Sequence, residues 1–122
     1  REDFAAWYDS KLDVEQELID EISERTYYII EENEYDEFID ELRADNIYTA
    51  SDFVASFERE FEGIGERIYG EFAQGFFEEC GYVIEPEFIA NCIDWELVWE
   101  SELRHDYSAL EFKGNTYFFR KD

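Results

Sequence analysis

The sequence is poor in positively charged residues and in the residue patterns that build most catalytic sites. Only 10 Lys and Arg stand against 34 Asp and Glu in 122 residues, a formal net charge of -24. This charge nearly excludes nucleic acid and anionic membranes as ligands and favours a strongly basic partner surface. His105 is the only histidine, and there is no zinc-ligand cluster, Gly-rich phosphate loop, nucleophile elbow or EF-hand loop. We therefore predict a protein that is not an enzyme, with no catalytic residues, metal or cofactor.

Cysteines and long apolar runs are also scarce. Cys80 and Cys92 lie in apolar or helical contexts, which favours reduced core thiols over a disulfide. No run reaches the roughly 18 apolar residues that cross a bilayer, and the N-terminus lacks a signal-peptide pattern, so we expect a soluble chain. Because the sequence begins at Arg1 rather than Met, we expect that upstream residues were trimmed or are missing.

The sequence does contain enough apolar mass for a folded core. Hydrophobic residues make up 45% and aromatic residues 20%, and there is one proline. Acidic chains that lack such mass stay disordered, because burial cannot offset the entropy of ordering the chain. We predict one folded domain or two small ones, of the α+β class, predominantly helical with a small C-terminal β-hairpin.

Apolar spacing predicts two acidic helices at the start of the chain. The first, with a capping-box pattern at its start, is expected over residues 13–32, and a shorter one follows over residues 35–42. The stretch 44–48 breaks the pattern. We place a soft boundary there, between an acidic helical region, residues 1–47, and an α+β region, residues 48–122. The predicted apolar faces are Val14, Leu18, Ile22 and Ile29 in the first helix, and Tyr35, Phe38, Ile39 and Leu42 in the second.

Three further helices and a hairpin are predicted in the second region. A capping box at Thr49 and Asp52 opens a helix that we expect to continue through Phe61. The next helix ends at Gly81, a left-handed C-cap, and the last begins at Asp94 as its N-cap. After it, SALEF and TYFFR flank KGN, which is typical of a β-hairpin with a Gly-containing turn. Residues predicted to face the core are Phe53, Val54, Phe57, Phe61, Ile68, Phe72, Ala73, Phe76, Cys80, Leu97, Val98, Trp99 and Leu103.

Acidic residues recur at the spacing at which they repel along a helix. Each like-charge i,i+4 pair costs about 0.2–0.5 kcal/mol at low salt, so six pairs remove roughly 1–3 kcal/mol. That is a substantial part of a typical stability of about 5–15 kcal/mol. Because interleaved lysines would have avoided this loss, the pattern favours a function for the acidic surface. The pairs are Glu17 with Glu21, Asp20 with Glu24, Asp36 with Asp40, Glu37 with Glu41, Glu58 with Glu62, and Glu96 with Glu100.

Carboxylates four residues apart on a helix are offset by about 6 Å along its axis, so successive pairs form a ladder of negative groups. A surface that grips duplex phosphates with Lys and Arg would accept this ladder, and release of counterions would drive the association. We hypothesise a DNA mimic with an elongated acidic architecture, whose carboxylates act collectively. The candidate partner-binding residues are Glu17, Glu21, Glu24, Glu58, Glu62, Glu71, Glu78, Glu96 and Glu100.

Solubility and halophilic adaptation are two alternative causes of the acidity, and the sequence leaves both open. Solubility alone accounts for acidic helices, although a few negative charges commonly suffice for it. Halophilic adaptation also produces surfaces that are rich in acids and poor in lysine, and the aromatic fraction argues only weakly against it. Carboxylate pairs are too numerous here to indicate an acid–base site, and we interpret His105 as a surface or capping residue.

The C-terminal region carries an ordered set of short motifs. They are a helix that ends in EExG at residues 78–81, a Glu-Pro step at residues 85–86, the sequence IDW at residues 93–95, a further helix, and a closing strand pair. In this order they resemble the ArdA family of antirestriction proteins over roughly residues 51–120. The resemblance implies elongated acidic dimers that imitate bent B-DNA and occupy the DNA-binding groove of type I restriction-modification enzymes.

The resemblance also implies a homodimer, because in that family the segment matching residues 84–95 lies at or near the dimer interface. Members usually have an additional N-terminal domain, and we expect that this chain lacks it or replaces it with the acidic helices before Leu42. We expect a phage- or plasmid-borne inhibitor in the cytoplasm of a bacterial host. The alternatives are an inhibitor of a CRISPR effector, and an acidic module that shields a basic nucleic-acid-binding protein. The interface candidates, for which ordinary core is the competing interpretation, are Ile84, Pro86, Phe88, Ile89, Ile93 and Trp95.

Overall fold

The computed structural model describes residues 2–81 and 85–121, which form seven α-helices, one short 3-10 helix and three strands. This mixture of helix and strand agrees with the predicted α+β class. No described helix combines the length and apolar character that a membrane crossing requires. The elements in chain order are α1 (Glu2–Asp9), α2 (Asp13–Arg25), α3 (Glu32–Ala44), α4 (Ala50–Ser56), β1 (Phe57–Glu62), α5 (Glu66–Glu79), α6 (Glu87–Ala90), α7 (Trp95–Ser101), the 3-10 helix (Leu103–His105), β2 (Tyr107–Phe112) and β3 (Asn115–Arg120).

The chain packs as two compact units, residues 1–60 and residues 61–122, called here the first and second unit. The first unit carries 20 Asp and Glu against five Lys and Arg, and the second carries 14 against five. The sequence-based division into residues 1–47 and residues 48–122 stays a prediction about regions of the sequence. Both units therefore share the acidic character that the composition indicates.

Helix α2 is shorter than predicted and ends at Arg25 rather than near residue 32. Thr26 adopts an extended conformation, and its hydroxyl and backbone N–H both donate to the carbonyl of Ile22, at 2.7 and 2.9 Å. Residues 26–30, TYYII, are all β-branched or aromatic, which favours extended backbone. The predicted capping box at the helix start is also wrong, because Leu12 is the N-cap and no side chain caps it.

The apolar face of α2 is confirmed in part. Leu18 and Ile22 are buried, whereas Val14 is 54% exposed. Ile29 is buried from the extended segment that follows α2 rather than from the helix. A long helical pattern was predicted because these apolar residues have helical spacing, although two separate elements supply them.

Helix α3 follows the prediction closely. All four residues of its predicted apolar face are buried, and it ends at Ala44, where the break was expected. Its start is fixed by Glu34, whose Oε1 accepts the backbone N–H groups of Ile30 and Glu31, at 3.2 and 2.9 Å. The residues of that face are Tyr35, Phe38, Ile39 and Leu42.

The capping box that opens α4 is confirmed. The Thr49 hydroxyl accepts the backbone N–H of Asp52 at 3.1 Å, and the Asp52 carboxylate accepts the backbone N–H groups of Tyr48 and Thr49. These two backbone hydrogen bonds lower the pKa of Asp52. The ionised Asp52 carboxylate therefore contributes to stability at pH values above the pKa of Asp52 in the unfolded chain. This contribution is lost as the pH falls through the lower pKa that Asp52 has in the folded state.

The continuation of α4 through Phe61 is wrong, because the helix ends at Ser56 and β1 begins at Phe57. The sequence FEREFE places glutamate at every second position, 58, 60 and 62, and phenylalanine at 57 and 61, which fits the period of two of a strand. The spacing of the phenylalanines also fits a helix, which explains the misassignment. Glu58 and Glu62 therefore lie on a strand, and the helical i,i+4 repulsion predicted for them does not apply.

The second unit contains a hairpin of β2 and β3 packed with helices, whereas β1 has residues in both units. The strand order is β1-β3-β2, and β2 and β3 form the predicted antiparallel hairpin, with Tyr107 opposite Arg120. Its turn residues Lys113 and Gly114 both have positive φ, as a tight type I′ turn requires. The core is a cluster of buried side chains in which the rings of Phe72 and Phe118 stack at 4.1 Å. The buried members are Ile68, Phe72, Ala73, Trp99, Leu103 and Phe118.

Two caps of the second unit are confirmed, and one expectation for it is wrong. Gly81 follows α5 with φ of 83°, and Asp94 caps α7 by accepting the backbone N–H of Leu97 at 3.1 Å. Cys80 and Cys92 are exposed free thiols rather than core residues. Cys80 is the residue after α5, beyond the last turn that faces the core, and Cys92 lies in the turn after α6.

The other residues of this region that were predicted to face the core are confirmed only in part. Phe53 is buried, and Phe57, Phe61, Phe76 and Val98 are half-buried. Val54 and Leu97 are exposed large side chains, so their assignment to the core is wrong.

The cap at Thr49 provides a test of the first unit. We expect Thr49→Ala to lower the free energy of unfolding by about 1 kcal/mol, because the backbone N–H of Asp52 loses its acceptor. Urea denaturation at neutral pH measures this loss. Ser51→Ala, at an exposed position of the same helix, is the matched control and is expected to change stability by less than about 0.5 kcal/mol. Equal effects of the two substitutions would contradict the cap assignment.

Candidate partner-binding surface

Helices α2 and α3 concentrate the negative charge of the first unit. Each is 13 residues long, and together they carry 12 Asp and Glu against two Arg. Their buried faces are apolar, so the carboxylates are turned toward solvent or lie at the helix edges. The fully exposed acidic residues of the two helices are Asp13, Glu17, Asp20, Glu24, Glu37, Asp40 and Glu41.

Three cations of this unit, Lys11, Arg25 and Arg43, form local ion pairs. Arg25 pairs with Glu21 at 3.0 Å, one turn earlier on the same helix. Arg43 of α3 lies 3.7 Å from Glu15 of α2 and therefore links the two helices. These pairs neutralise carboxylates at the helix edges.

Lys11 pairs with Asp36 at 2.8 Å, and the Trp7 indole donates a hydrogen bond to the same carboxylate at 3.2 Å. In contrast, Glu17, Glu24 and Glu41 have no ion-pair or hydrogen-bond partner within residues 2–81 and 85–121. These three exposed carboxylates are therefore not neutralised by any cation of the described residues.

Several carboxylates lie at helix C-termini, where the helix dipole is unfavourable for negative charge. Glu24 and Glu41 are in the last turns of α2 and α3, and Glu78 and Glu79 end α5, whose last turn has no basic residue. A charge of the wrong sign at this position opposes the fold by about 0.3–1 kcal/mol. These four carboxylates therefore oppose helix stability, whereas those in the first turns of α2 and α3 favour it.

Hydrogen bonds hold one acidic side chain, Glu60, that the sequence patterns did not identify. The Glu60 carboxylate accepts the backbone N–H groups of Tyr27 and Tyr28, at 2.7 and 3.1 Å, and so fixes the segment between α2 and α3. The Tyr27 ring, which is 78% exposed, projects from this segment. No sequence periodicity links residues 32 or 33 positions apart, so only the fold reveals these contacts.

Asp20 on α2 accepts a hydrogen bond from the Tyr8 hydroxyl at 3.0 Å. This hydrogen bond, with smaller contributions from burial and from the charges of Asp20 and Asp9, raises the pKa of the Tyr8 phenol. The phenol stays neutral at physiological pH, so it satisfies Asp20 without removing its charge.

The predicted partner-binding residues of the first unit fall into two groups. Glu17 and Glu24 are exposed on α2, and Glu21 is half-buried on the same helix in its ion pair with Arg25. Glu58 is half-buried on β1. The structure therefore brings three of these four residues together on one helix.

The predicted partner-binding residues of the second unit are all exposed, on three elements. Glu62 ends β1, and Glu71 on α5 pairs with Arg67 at 2.6 Å. Glu78 lies near the end of α5, and Glu96 and Glu100 lie one turn apart on α7. The last two residues share the lining of a cavity with further carboxylates.

The candidates for a dimer interface have different environments. Pro86, Phe88 and Ile89 are exposed, Phe88 by 66%, and Ile93 is half-buried. Trp95 packs against the core cluster of the second unit, as the competing interpretation of core residues holds for this position. Ile84 lies outside the described residues. The homodimer stays a prediction.

Comparison of the chain with known protein families, with curated proteins and with solved structures finds no match. The resemblance to the ArdA family therefore stays a prediction from short motifs. Among residues 2–81 and 85–121, no group of three or more His, Cys, Asp or Glu side chains is arranged to hold a metal ion. The acidic helix surfaces are the feature of the described chain on which a function can be argued.

Charge reversal at Glu24 separates fold stability from function. We expect Glu24→Lys to raise the free energy of unfolding by about 0.5–1 kcal/mol at low salt, because it removes repulsion with Asp20 and favours the helix dipole. Glu24→Gln, the matched control, should give about half of the gain. Thermal and urea denaturation measure both, and the gains should shrink in about 1 M salt, where the Debye length is about 3 Å. A loss of stability in Glu24→Lys would contradict the account of these charges.

Repulsion across the whole surface leads to a second expectation. Added monovalent salt should raise the melting temperature of the unmodified chain between about 0.01 and 0.5 M, because screening relieves like-charge repulsion more than it weakens the few ion pairs. Differential scanning calorimetry measures the shift. A melting temperature that falls over this range would contradict the prediction, since it would mean that ion pairs outweigh repulsion.

Proposed function

We propose that this chain is a DNA mimic that inhibits a host defence enzyme by binding its DNA-binding surface, with a type I restriction-modification enzyme as the first candidate. The observation that carries the proposal is that Glu17, Glu24 and Glu41, on the exposed faces or in the last turns of α2 and α3, have no cationic partner among the described residues. Like-charge repulsion and the helix dipole make negative charge at such positions unfavourable for helix stability, and solubility alone would not require charges there.

The density of charge on α2 and α3 supports the proposal. A helix of 13 residues is about 20 Å long, and about 20 Å of B-DNA carries about 12 phosphates. The two helices together carry 12 carboxylates. Seven of these carboxylates are exposed, so the two helices present more than half the number of negative groups that this length of duplex carries.

The physical basis of binding would be the one that duplex DNA uses. Lys and Arg on the target release their anions and the acidic helices release their cations, and this gain in entropy drives the association. No chemistry on the chain is needed for this mode of inhibition. The contribution of each carboxylate should be small, since a solvent-exposed ion pair contributes about 0.2–1 kcal/mol.

Two further partners fit the same surface chemistry. The positively charged channel of a CRISPR effector would accept an acidic ladder, and a basic nucleic-acid-binding protein would be shielded by it. Inhibition of a CRISPR effector differs from inhibition of a restriction enzyme only in the target, so binding assays with a panel of targets distinguish the two. The second should tolerate acidic residues at altered positions, whereas a mimic should not.

A competition experiment with charge variants tests the proposal. The chain is titrated into a type I restriction-modification enzyme bound to labelled duplex, and we expect displacement near stoichiometry. A single Glu17→Gln should weaken displacement by less than about fivefold. Reversal of Glu17, Glu24, Glu37 and Glu41 to Lys should weaken it by about 5- to 1000-fold, since four exposed pairs contribute roughly 1–4 kcal/mol.

Two position swaps provide the matched control, because they preserve the composition and the net charge. In one, Ser23→Glu is combined with Glu24→Ser, and in the other, Glu41→Ala is combined with Ala44→Glu, all at exposed positions. A mimic predicts that the combined swaps weaken displacement several-fold. Unchanged displacement would favour the shielding module, and loss of displacement by Glu17→Gln alone, without unfolding, would favour a discrete site.

A further inference from the structure

We propose that a cavity between α5 and α7 is a binding site for an arginine residue of the partner protein. The proposal deepens the proposed function and rests on it for the identity of the partner, because it names the residue type that the acidic surface selects. The cavity has a volume of about 230 Å³, several times the roughly 30 Å³ that one water molecule occupies in the liquid. It is lined by Glu66, Tyr69, Asp94, Glu96, Leu97, Trp99 and Glu100.

The two helices form this cavity because they approach closely at Gly70. A Cβ atom added there would lie 3.1 Å from Cγ and 3.3 Å from the backbone nitrogen of Glu96. The first turn of α7 therefore lies directly against α5, and the carboxylates of both helices meet around one opening.

One wall of the cavity is aromatic and rigid. The rings of Tyr69 and Trp99 stack with their centroids 5.2 Å apart and an angle of 11° between their planes. Both rings also contact the buried ring of Phe118, at 5.8 and 5.3 Å. The Tyr69 hydroxyl donates to Glu111 at 3.1 Å, and burial together with this hydrogen bond raises the pKa of Tyr69. The wall is therefore neutral and held in place from behind.

The polar groups around the cavity retain unused binding capacity. Glu66 and Glu96 have no ion-pair or hydrogen-bond partner in the described part of the chain. Asp94 caps α7, and Glu100 has one loose contact of 3.5 Å with Arg104. The excess of carboxylates favours a cationic ligand.

The indole of Trp99 supplies an independent observation. The side chain lines the cavity and is only 6% exposed, yet its N–H donates no hydrogen bond to any residue in 2–81 or 85–121. The indole nitrogen still reaches solvent, so water can accept its hydrogen bond in the free chain. A ligand that fills the cavity displaces this water and must carry an acceptor oxygen of its own, or the indole N–H is left unpaired; a simple metal cation or a free ammonium ion carries none.

An arginine residue in a polypeptide meets all three requirements. Its guanidinium group is planar and weakly hydrated, packs against aromatic rings, and donates paired hydrogen bonds to carboxylates such as Glu66 and Glu96. Its backbone carbonyl can accept the hydrogen bond of the Trp99 indole. Lysine offers a compact and strongly hydrated charge, which fits the aromatic wall less well.

Titration with small amides of single amino acids tests the site on the intact chain. The probe is N-acetyl-arginine methylamide, and the controls are the corresponding lysine and citrulline compounds, the last being a neutral analogue of arginine. We expect a saturable shift of the Trp99 indole N–H signal with arginine, several-fold weaker binding of lysine, and no saturation with citrulline. The Trp7 indole, already bound to Asp36, serves as an internal reference. Equal binding of lysine and arginine, or no saturable shift, would overturn the proposal.

Variants that replace glutamate with uncharged glutamine identify where the probe binds. The double variant Glu66→Gln and Glu96→Gln should weaken arginine binding by about 2- to 30-fold, since it removes two exposed ion pairs. The double variant Glu87→Gln and Glu102→Gln changes the net charge equally at exposed positions outside the cavity and should change affinity by less than twofold. An equal loss in both variants would overturn the proposal. The amide spectra of both variants establish that the fold is retained.

The two proposals fail separately. Saturable, arginine-selective binding by a chain that displaces no duplex from any target would support the cavity and contradict the proposed function. Displacement of duplex by a chain that shows no probe binding would overturn the cavity alone.

Discussion

Repulsion among unneutralised carboxylates is the constraint on which the rest of this structure depends. At a net charge of -24, each unit must bury enough apolar surface to remain compact against its own charge. In the first unit, α2 and α3 do so with aliphatic and aromatic residues such as Leu18, Ile22 and Phe38, all nearly inaccessible to solvent. In the second, the stack of Phe72 and Phe118 and the rings around it form the core. The high aromatic content thus follows from the acidity of the surface, because large side chains bury much apolar area per residue.

The same constraint explains how the few cations are used. Arg43 links two helices, and Lys11 joins Asp36 beside the Trp7 ring, so these cations stabilise local packing at the edges of the acidic faces. The exposed residues Glu17, Glu24 and Glu41 have no such partner among residues 2–81 and 85–121. A surface of this kind is stabilised most by a partner that supplies many cations at once. Charge complementarity of this kind connects the fold to the proposed function.

Local sequence signals predicted those parts of the fold that local interactions determine. The apolar face of α3, the caps at Thr49 and Asp94, and the hairpin turn at Gly114 each depend on residues within about five positions, and all are confirmed. The end of α2 and the identity of β1 were wrong because the same apolar residues fit two periodicities. Tertiary packing decides between such periodicities, and the sequence does not display it.

The candidate site also has a part that local sequence signals predicted and a part that they did not. Helical spacing correctly placed Glu17 and Glu24 on the exposed face of α2. It gave no indication that Glu66 and Glu96 line one cavity, because that arrangement requires the close approach of two helices at Gly70. Contacts between residues far apart in the sequence are therefore the part of the site that only the structure reveals.

The salt dependence of binding tests the central claim most directly. The dissociation constants of the target enzyme for this chain and for duplex DNA would be measured over the same series of monovalent salt concentrations. A mimic of duplex phosphates should give a steep linear decrease of log affinity with log salt, with a slope close to that of the duplex, since both reflect the release of counterions by similar numbers of ion pairs. A slope near zero, with binding retained, would contradict the claim that collective charge carries the interaction.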